Sequence, residues 1–329
     1  MRSSSYAMQR VLDRYHDLQP RSVEGMLRYR TFVSIPHRYM YVEVPKAACT
    51  GMKWLLHKLE NGGVPKPSLG ETRREMFIHS RENVPLPSLV DLDDATQKYI
   101  LESPDVLRMM VVRNPHTRIV STWRNKVLLC EPGFDRIFVD VKGEAPALES
   151  KPAVSLKEFV HYLGKDDNLS GSAHWAPQGD HAFFRALNYS FVGRVEQLAD
   201  TLRFFQRHLG RSEPLAFDRK NPSMPLGQIA YDAGVVDTIA RLYHDDFEAF
   251  GYDPKVWPFE KQSGDHAAIT VPEETFRDEI IERNIIIAQL AAECARLQHQ
   301  HRRATRWRRR LQRFVRFVST PRPLWPRQH

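Results

Sequence analysis

The chain has 329 residues, of which 42% are hydrophobic and 27% charged, and three cysteines. This composition excludes global disorder, a disulfide framework and a zinc-binding module, and it predicts a reducing, cytoplasmic compartment. The formal net charge of +8 is local, because residues 301–329 hold ten arginines and no acidic residue and their removal leaves residues 1–300 at −2. The body of the chain therefore lacks the charge of a nucleic-acid-coating domain, and no nucleic-acid partner is expected.

The first strand–turn–helix pattern follows an N-terminal segment, residues 1–30, to which we assign no function. Two short apolar runs, residues 32–35 and 39–44, predict strands, and the apolar spacing that follows predicts a helix. Strand, turn and helix together aim backbone N–H groups and a helix dipole at an anion, although an ordinary turn would show the same local pattern. The turn residues are Pro45, Lys46, Ala47, Ala48, Cys49, Thr50 and Gly51.

Two further strand–loop–helix units follow, around residues 107–128 and 189–209. Strands that alternate with helices predict an α/β fold with a parallel sheet covered on both faces. Ligands of such sheets bind beyond the carboxyl ends of the strands. We therefore expect Lys46, Arg113 and Arg194, one from each loop, to lie at the same edge of the sheet.

Five pieces of the chain together resemble carbohydrate sulfotransferases. Residues 44–53 look like their 5′-phosphosulfate loop, and residues 111–126 look like their 3′-phosphate segment. Residues 191–198 and 243–252 are similar to the last strand–helix unit and the C-terminal helix of that family. Residues 174–178, His-Trp-Ala-Pro-Gln, are similar to a motif of the chondroitin, dermatan and HNK-1 branch.

The resemblance implies a P-loop-NTPase-like three-layer sandwich with a central parallel sheet over residues 31–255. The resemblance further implies that the chain is a bacterial-type soluble member of the carbohydrate sulfotransferase family, related also to heparan 2-O-sulfotransferases. The implied reaction moves a sulfuryl group from 3′-phosphoadenosine 5′-phosphosulfate to a hydroxyl of a carbohydrate or glycolipid. Gly51 and Met52 depart from the family pattern, since relatives usually have a polar residue and a tryptophan there.

The chemistry of sulfuryl transfer suits these residue types. Lys46 would stabilise charge on the departing bridging oxygen, while the N–H groups of residues 48–51 and the Thr50 hydroxyl would hold the 5′-phosphate. Arg113 would grip the 3′-phosphate and Ser121 would add a hydroxyl. Arg194 would either contact the nucleotide or act as a structural ion-pair partner. No metal is expected, because lysine and arginine neutralise the phosphates.

An acceptor hydroxyl needs a general base, and histidine suits neutral pH. His79 lies between the two donor loops, in the interval where heparan 2-O-sulfotransferases look to have their base. His174 lies in the motif that resembles the acceptor side. A surface or structural histidine remains the alternative for each.

The C-terminal part reads as a linker at residues 256–272, a helix at 273–300 and a basic amphipathic tail at 301–329. The helix predicts either a dimerising coiled coil or packing against the chain's own domain. Its heptad positions are Phe276, Ile280, Ile287, Leu290, Cys294 and Leu297. The tail places Trp307 and Phe314 among arginines, a pattern that favours binding to an anionic membrane surface. We expect this surface to be the cytoplasmic face of the membrane. The alternative function is a non-catalytic protein that binds membranes or polyanions through this tail.

Overall fold

The computed structural model describes residues 4–61, 78–79, 81–215, 217, 232–259 and 273–319. For residues 61, 82, 273–277, 300 and 303–319 it describes the backbone without the side chains. The chain divides into two compact units. The first comprises Met1–Leu128 and Val154–His266, and the second comprises Leu129–Ala153 and Ala267–His329.

The sheet of the first unit has four strands within the described residues, in the order β1-β2-β3-β4. These are β1 (Thr31–Ser34), β2 (Tyr39–Val42), β3 (Leu107–Val112) and β4 (Phe191–Arg194). β2, β3 and β4 are parallel, as predicted, but β1 pairs antiparallel with β2, so the sheet is mixed and the predicted parallel sheet is confirmed for these three strands only. The four-residue turn at 35–38 explains the difference, because a connection this short joins only antiparallel strands.

Of the helices that the structure describes, two precede β1 and the others follow β2, β3 and β4. They are α1 (Tyr6–Leu12), α2 (Pro20–Arg30), α3 (Cys49–Asn61), α4 (Asp94–Glu102), α5 (Pro115–Thr122), α6 (Asp135–Lys142), α7 (Leu156–Leu163), α8 (Gln178–His181), α9 (Leu198–His208), α10 (Ala233–Leu242), α11 (His244–Ala249) and α12 (Glu273–Ser319). Local caps fix several starts: the Asn114 side chain accepts a hydrogen bond from the His116 N–H, with Pro115 at the first helical position of α5.

The core lies on both faces of the sheet, because successive strand residues point to opposite sides. On one face, Met40 and Met110 join a cluster that includes Val11 of α1 and Leu27 of α2. Helices within residues 1–30 therefore contribute to the same core as the strands. On the other face the cluster contains Tyr41, Met109 and Val111 of the strands, Leu55 of α3 and Phe205 of α9. This two-sided cover is compatible with the expected sulfotransferase fold, while the detailed P-loop-NTPase-like class stays a prediction.

The second unit contains α6 and α12. Asn284 of α12 donates to the Leu129 carbonyl at 2.8 Å, and Lys151 pairs with Glu282 at 2.6 Å. Ile285 is 2% exposed beside them. α12 runs without a break across residue 300, where we divided helix from tail. Most of the proposed linker, residues 260–272, lies outside the described residues. Among the helices that the structure describes, none is long and apolar enough to cross a membrane.

Candidate active site

Three loops meet at the carboxyl edge of the sheet. Because β2, β3 and β4 are parallel, the segments that follow them leave the sheet on the same side. Lys46 follows β2, Arg113 follows β3 directly, and Arg194 is the last residue of β4. The predicted placement of these three residues at one edge is confirmed.

The loop between β2 and α3, which we call the donor loop (residues 45–51), has an unusual backbone. Lys46 and Ala48 have φ angles of 68° and 59°, in the left-handed region that non-glycine residues rarely adopt. Each such residue costs about 1–3 kcal/mol, and such conformations concentrate at functional sites. The alternation of handedness turns backbone N–H groups into a concavity that suits an anion. The helical bond from Met52 N–H to the Ala48 carbonyl, at 3.0 Å, leaves the N–H groups of the first turn of α3 available.

Arg113 joins the donor loop to the loop after β3. Its Nη1 donates to the Lys46 carbonyl at 3.3 Å, and its Nε donates to Thr117 Oγ1 at 2.9 Å. Burial lowers the pKa of this guanidinium. The two residues predicted to hold the two ends of one ligand are therefore in direct contact.

Arg118 is a fully buried cation that the sequence reasoning missed. Its guanidinium donates to three carbonyl oxygens, those of Pro45 at 3.1 Å, Ala173 at 3.1 Å and Ala176 at 2.8 Å. It thereby binds the donor loop to the segment that carries His174. Its place among the apolar residues of α5 was the available signal, since a buried arginine needs several acceptors. Ser121, one turn further along α5, is 1% exposed.

Gln178 clamps the backbone of Arg113 and was also missed as a functional residue. Its Oε1 accepts from the Arg113 N–H at 2.9 Å, and its Nε2 donates to the Arg113 carbonyl at 2.8 Å. Asp246 in turn accepts from the N–H groups of Gln178 and Gly179, at 2.7 and 2.9 Å. The motif at 174–178 thus supports the donor side of the site.

His79 lies beside the donor loop. Its Nε2 is 3.3 Å from Thr50 Oγ1, and its Nδ1 is 3.1 Å from Lys53 Nζ. Lys53, a residue to which we assigned no role, also pairs with Glu43 at 2.7 Å. Burial lowers the pKa of His79 to about 4, helped by the charges of Lys53 and Lys126. The imidazole is therefore neutral at pH 7.

His174 lies within range of the same cations, since the charge of Lys126 acts on both histidines. Burial lowers its pKa to about 3, and the charges of Lys126, Lys46 and Arg118 act in the same direction, followed by that of His79. Both predicted base candidates are thus within electrostatic range of each other and of the donor loop, and both are neutral at pH 7.

A model of the sulfotransferase family matches residues 29–253 of the chain. The chain belongs to the sulfotransferase family.

Its relatives are named carbohydrate sulfotransferases. The chain is 27% identical to human carbohydrate sulfotransferase 9 over 57% of the chain and 42% of that protein. It is 26% identical to Xenopus laevis carbohydrate sulfotransferase 10 over 70% of the chain and 69% of that protein. It is 28% identical to mouse carbohydrate sulfotransferase 8 over 58% of the chain and 46% of that protein. No solved structure matches significantly. The match thus spans less than half of the length of the first of these relatives. The predicted resemblance to carbohydrate sulfotransferases is confirmed.

Lys126 of this sulfotransferase reaches the site from an irregular turn. We expected one continuous helix after Arg113, but the α-helical part ends at Thr122 and Trp123–Leu128 forms a π-helical turn. At the residue where the α-helix gives way to the π-helical turn, the Trp123 indole donates to the Val154 carbonyl at 2.8 Å. π-Helical turns are rare and are frequent at functional sites.

Arg194, whose role was left open between a nucleotide contact and a structural one, and Trp175 of the 174–178 motif have structural contacts in the sulfotransferase. Arg194 donates to the Phe250 carbonyl at 2.6 Å and lies over the Tyr252 ring at 5.0 Å. Trp175 is 4% exposed and donates to the Asn168 carbonyl at 2.7 Å, so it anchors the core. A nucleotide contact by Arg194 stays a prediction.

Metal ligands were not expected at this site. Among the residues that the structure describes, no group of three or more His, Cys, Asp or Glu side chains is arranged to hold a metal ion. The expectation of metal-free transfer stays a prediction.

Proposed function

We propose that this sulfotransferase moves a sulfuryl group from 3′-phosphoadenosine 5′-phosphosulfate to a hydroxyl of a carbohydrate or glycolipid. The names of its relatives support the reaction and the class of acceptor. One observation carries the proposal: the left-handed donor loop is tied through the Lys46 carbonyl to Arg113. The two anion-binding elements are thereby held together in one site.

The residues at this edge of the sheet fit a polyanionic donor. Cationic side chains outnumber the two buried carboxylates of the described residues, Glu43 and Asp246; they are Lys46, Lys53, Arg113, Arg118 and Lys126. The donor loop and Thr50 would hold the 5′-phosphosulfate, and Arg113 with Ser121 would hold the 3′-phosphate. The donor supplies an activated sulfuryl group when it is bound.

The chain contributes positioning and charge stabilisation to this reaction. Lys46 stabilises the negative charge that grows on the oxygen between phosphorus and sulfur. A neutral histidine accepts the proton of the attacking hydroxyl, and both His79 and His174 are neutral at pH 7. Bound phosphates would raise both pKa values toward the range of an effective base.

Transfer of labelled sulfate to the host's own glycans and glycolipids tests the proposal. Lys46→Ala should lower turnover at least about 100-fold, because one preorganised charge contact is worth that much, while circular dichroism stays unchanged. Lys98→Ala is the matched control, since Lys98 is an exposed lysine of α4. Equal turnover in the Lys46→Ala and Lys98→Ala variants would remove Lys46 from the mechanism.

We further propose that the arginine-rich end of α12 holds the enzyme on an anionic, cytoplasmic membrane face, where a lipid-linked acceptor would be accessible. The sequence supplies the argument: residues 301–329 carry ten arginines with tryptophan and phenylalanine among them. The full chain should sediment with vesicles that contain phosphatidylglycerol and not with pure phosphatidylcholine vesicles. A chain that lacks residues 301–329 should lose this binding and keep sulfate transfer to a water-soluble acceptor. Vesicle binding by a wild type that shows no sulfate transfer would instead favour the non-catalytic, binding role.

A further inference from the structure

The side chains of Glu43, Lys53 and His79 form a row beside the donor loop, and the first two are buried. Glu43 follows β2, and Lys53 lies on the second turn of α3; their side chains are 5% and 2% exposed. Lys53 Nζ is 2.7 Å from Glu43 Oε2 and 3.1 Å from His79 Nδ1. Two buried charges are costly to remove from water, so a pair at this position requires an explanation beyond stability.

The chemistry of the row fixes where the proton of His79 lies. An ammonium group has N–H donors and no acceptor. Its contact with Nδ1 therefore requires the Nδ1 lone pair, and a neutral imidazole then carries its proton on Nε2. Glu43 balances the charge of Lys53 from the opposite side.

The Nε2–H group points toward the donor loop, where Thr50 Oγ1 lies 3.3 Å away and can accept it. A histidine that acted as a base through Nε2 would need its proton on Nδ1, and that N–H would face the ammonium of Lys53. The charged groups that act on His79 are the cations of Lys53 and Lys126, while the carboxylate of Glu43 lies behind Lys53. His174 is neutral at pH 7 and adds no charge beside His79. The surroundings thus favour a neutral donor over a base.

We propose that Lys53 is a positioning residue that fixes His79 as an Nε2–H donor toward an oxygen of the sulfate or phosphate held by the donor loop. The role of general base then falls to His174. The tautomer of His79 follows from the geometry alone, whereas its role toward a sulfate oxygen rests on the proposed function.

Nitrogen-15 NMR of the histidine-labelled, full-length protein tests the tautomer without any ligand. At pH 7, His79 should be neutral, with its proton on Nε2. In the double variant Glu43→Gln/Lys53→Met, which removes both charges together, the Nδ1 resonance should shift and the pKa of His79 should rise toward 6.5. A proton on Nδ1 in the wild type, or an unchanged Nδ1 resonance and pKa in the double variant, would overturn the proposal.

Glutamine at position 79 separates a donor from a base. Its amide oxygen can accept from Lys53 and its NH₂ can donate to the ligand, but it cannot take a proton. His79→Gln should keep turnover within about 10-fold of the wild type, while His79→Ala and His174→Gln should each lose about 100-fold or more. Equal losses in His79→Gln and His79→Ala would contradict the donor role. Failure of the wild type to bind adenosine 3′,5′-bisphosphate would overturn the proposed function, and the NMR result would still decide the tautomer.

Discussion

His79 and His174 are held in the site by different forces. His79 is fixed through both ring nitrogens by side chains of α3, Thr50 and Lys53. His174 is placed by its backbone, since its carbonyl accepts from Thr122 Oγ1 at 2.9 Å and its segment is bound by Arg118. The two rings thus have separate supports, which allows one to act as a donor and the other as a base.

The lowered pKa values of the two histidines predict an acid-sensitive fold. In the unfolded chain both histidines bind protons near pH 6.5, whereas in the folded chain they bind them near pH 4 and pH 3. The unfolded state therefore holds more protons between these values, and the free energy of unfolding falls as pH is lowered from 6.5 to about 4. Between pH 7 and pH 5, a His79→Gln/His174→Gln variant should lose about 4 kcal/mol less than the wild type in urea unfolding, which is about 2 kcal/mol for each histidine.

His16→Gln is the control for this titration, because His16 is exposed on the surface. Its loss of stability between the two pH values should equal that of the wild type. An equal loss in the double variant would mean that the two histidines titrate normally in the folded protein.

Single residues differ in how far the sequence reveals them. Lys46 and Arg113 were predictable because each stands directly after an apolar run that reads as a strand. Arg118 and Gln178 were not, since their partners are carbonyls and N–H groups 55 or more residues away in the chain. Both side chains hold backbone groups. The place of Arg118 among apolar residues signals that it is buried, but neither residue type nor spacing reveals which backbone groups the two side chains contact.

At the scale of elements, the three strand–loop–helix units were predictable because each pairs a short apolar run with an amphipathic helix. The antiparallel pairing of β1 was missed, although the short turn at 35–38, which joins only antiparallel strands, can be read from the sequence. The π-helical turn at Trp123–Leu128 was also missed, since its apolar spacing fits a continuous helix. That turn brings the Lys126 charge to both histidines.

α12 shows two different faces over its first half. Ile281 and Ile285 are 8% and 2% exposed, and Asn284 beside them bonds to the Leu129 carbonyl. The predicted heptad residues lie elsewhere on the helix: Ile287, Leu290 and Leu297 are 46%, 61% and 51% exposed. One face of α12 is therefore packed while Ile287, Leu290 and Leu297, which we call the heptad stripe, are exposed, and we propose that a second copy of the chain covers this stripe.

Sedimentation velocity at micromolar concentrations measures this association. The wild type should sediment as a dimer, and Leu290→Ser/Leu297→Ser should sediment as a monomer with unchanged helicity. Gln289→Ser changes an exposed residue beside the stripe and should remain a dimer. A monomeric wild type would exclude the second copy as the partner of this face.

At the scale of the whole molecule, the sequence and the structure agree on where chemistry is concentrated. The family match at residues 29–253 covers the sheet, the donor loop and both histidines. The proposed donor follows from motifs within these elements, whereas the acceptor is proposed only as a class, from the names of the relatives.

Calorimetry with adenosine 3′,5′-bisphosphate tests the donor site most directly, because it needs no acceptor. The wild type should bind this nucleotide at least about 10-fold more tightly than adenosine 5′-monophosphate, since one charge-assisted contact to the 3′-phosphate is worth about 1.5–3 kcal/mol. Arg113→Met should remove the difference between the two nucleotides. Equal affinity of the wild type for both nucleotides, or no binding of either, would contradict the assignment of this site to a 3′-phosphorylated sulfate donor.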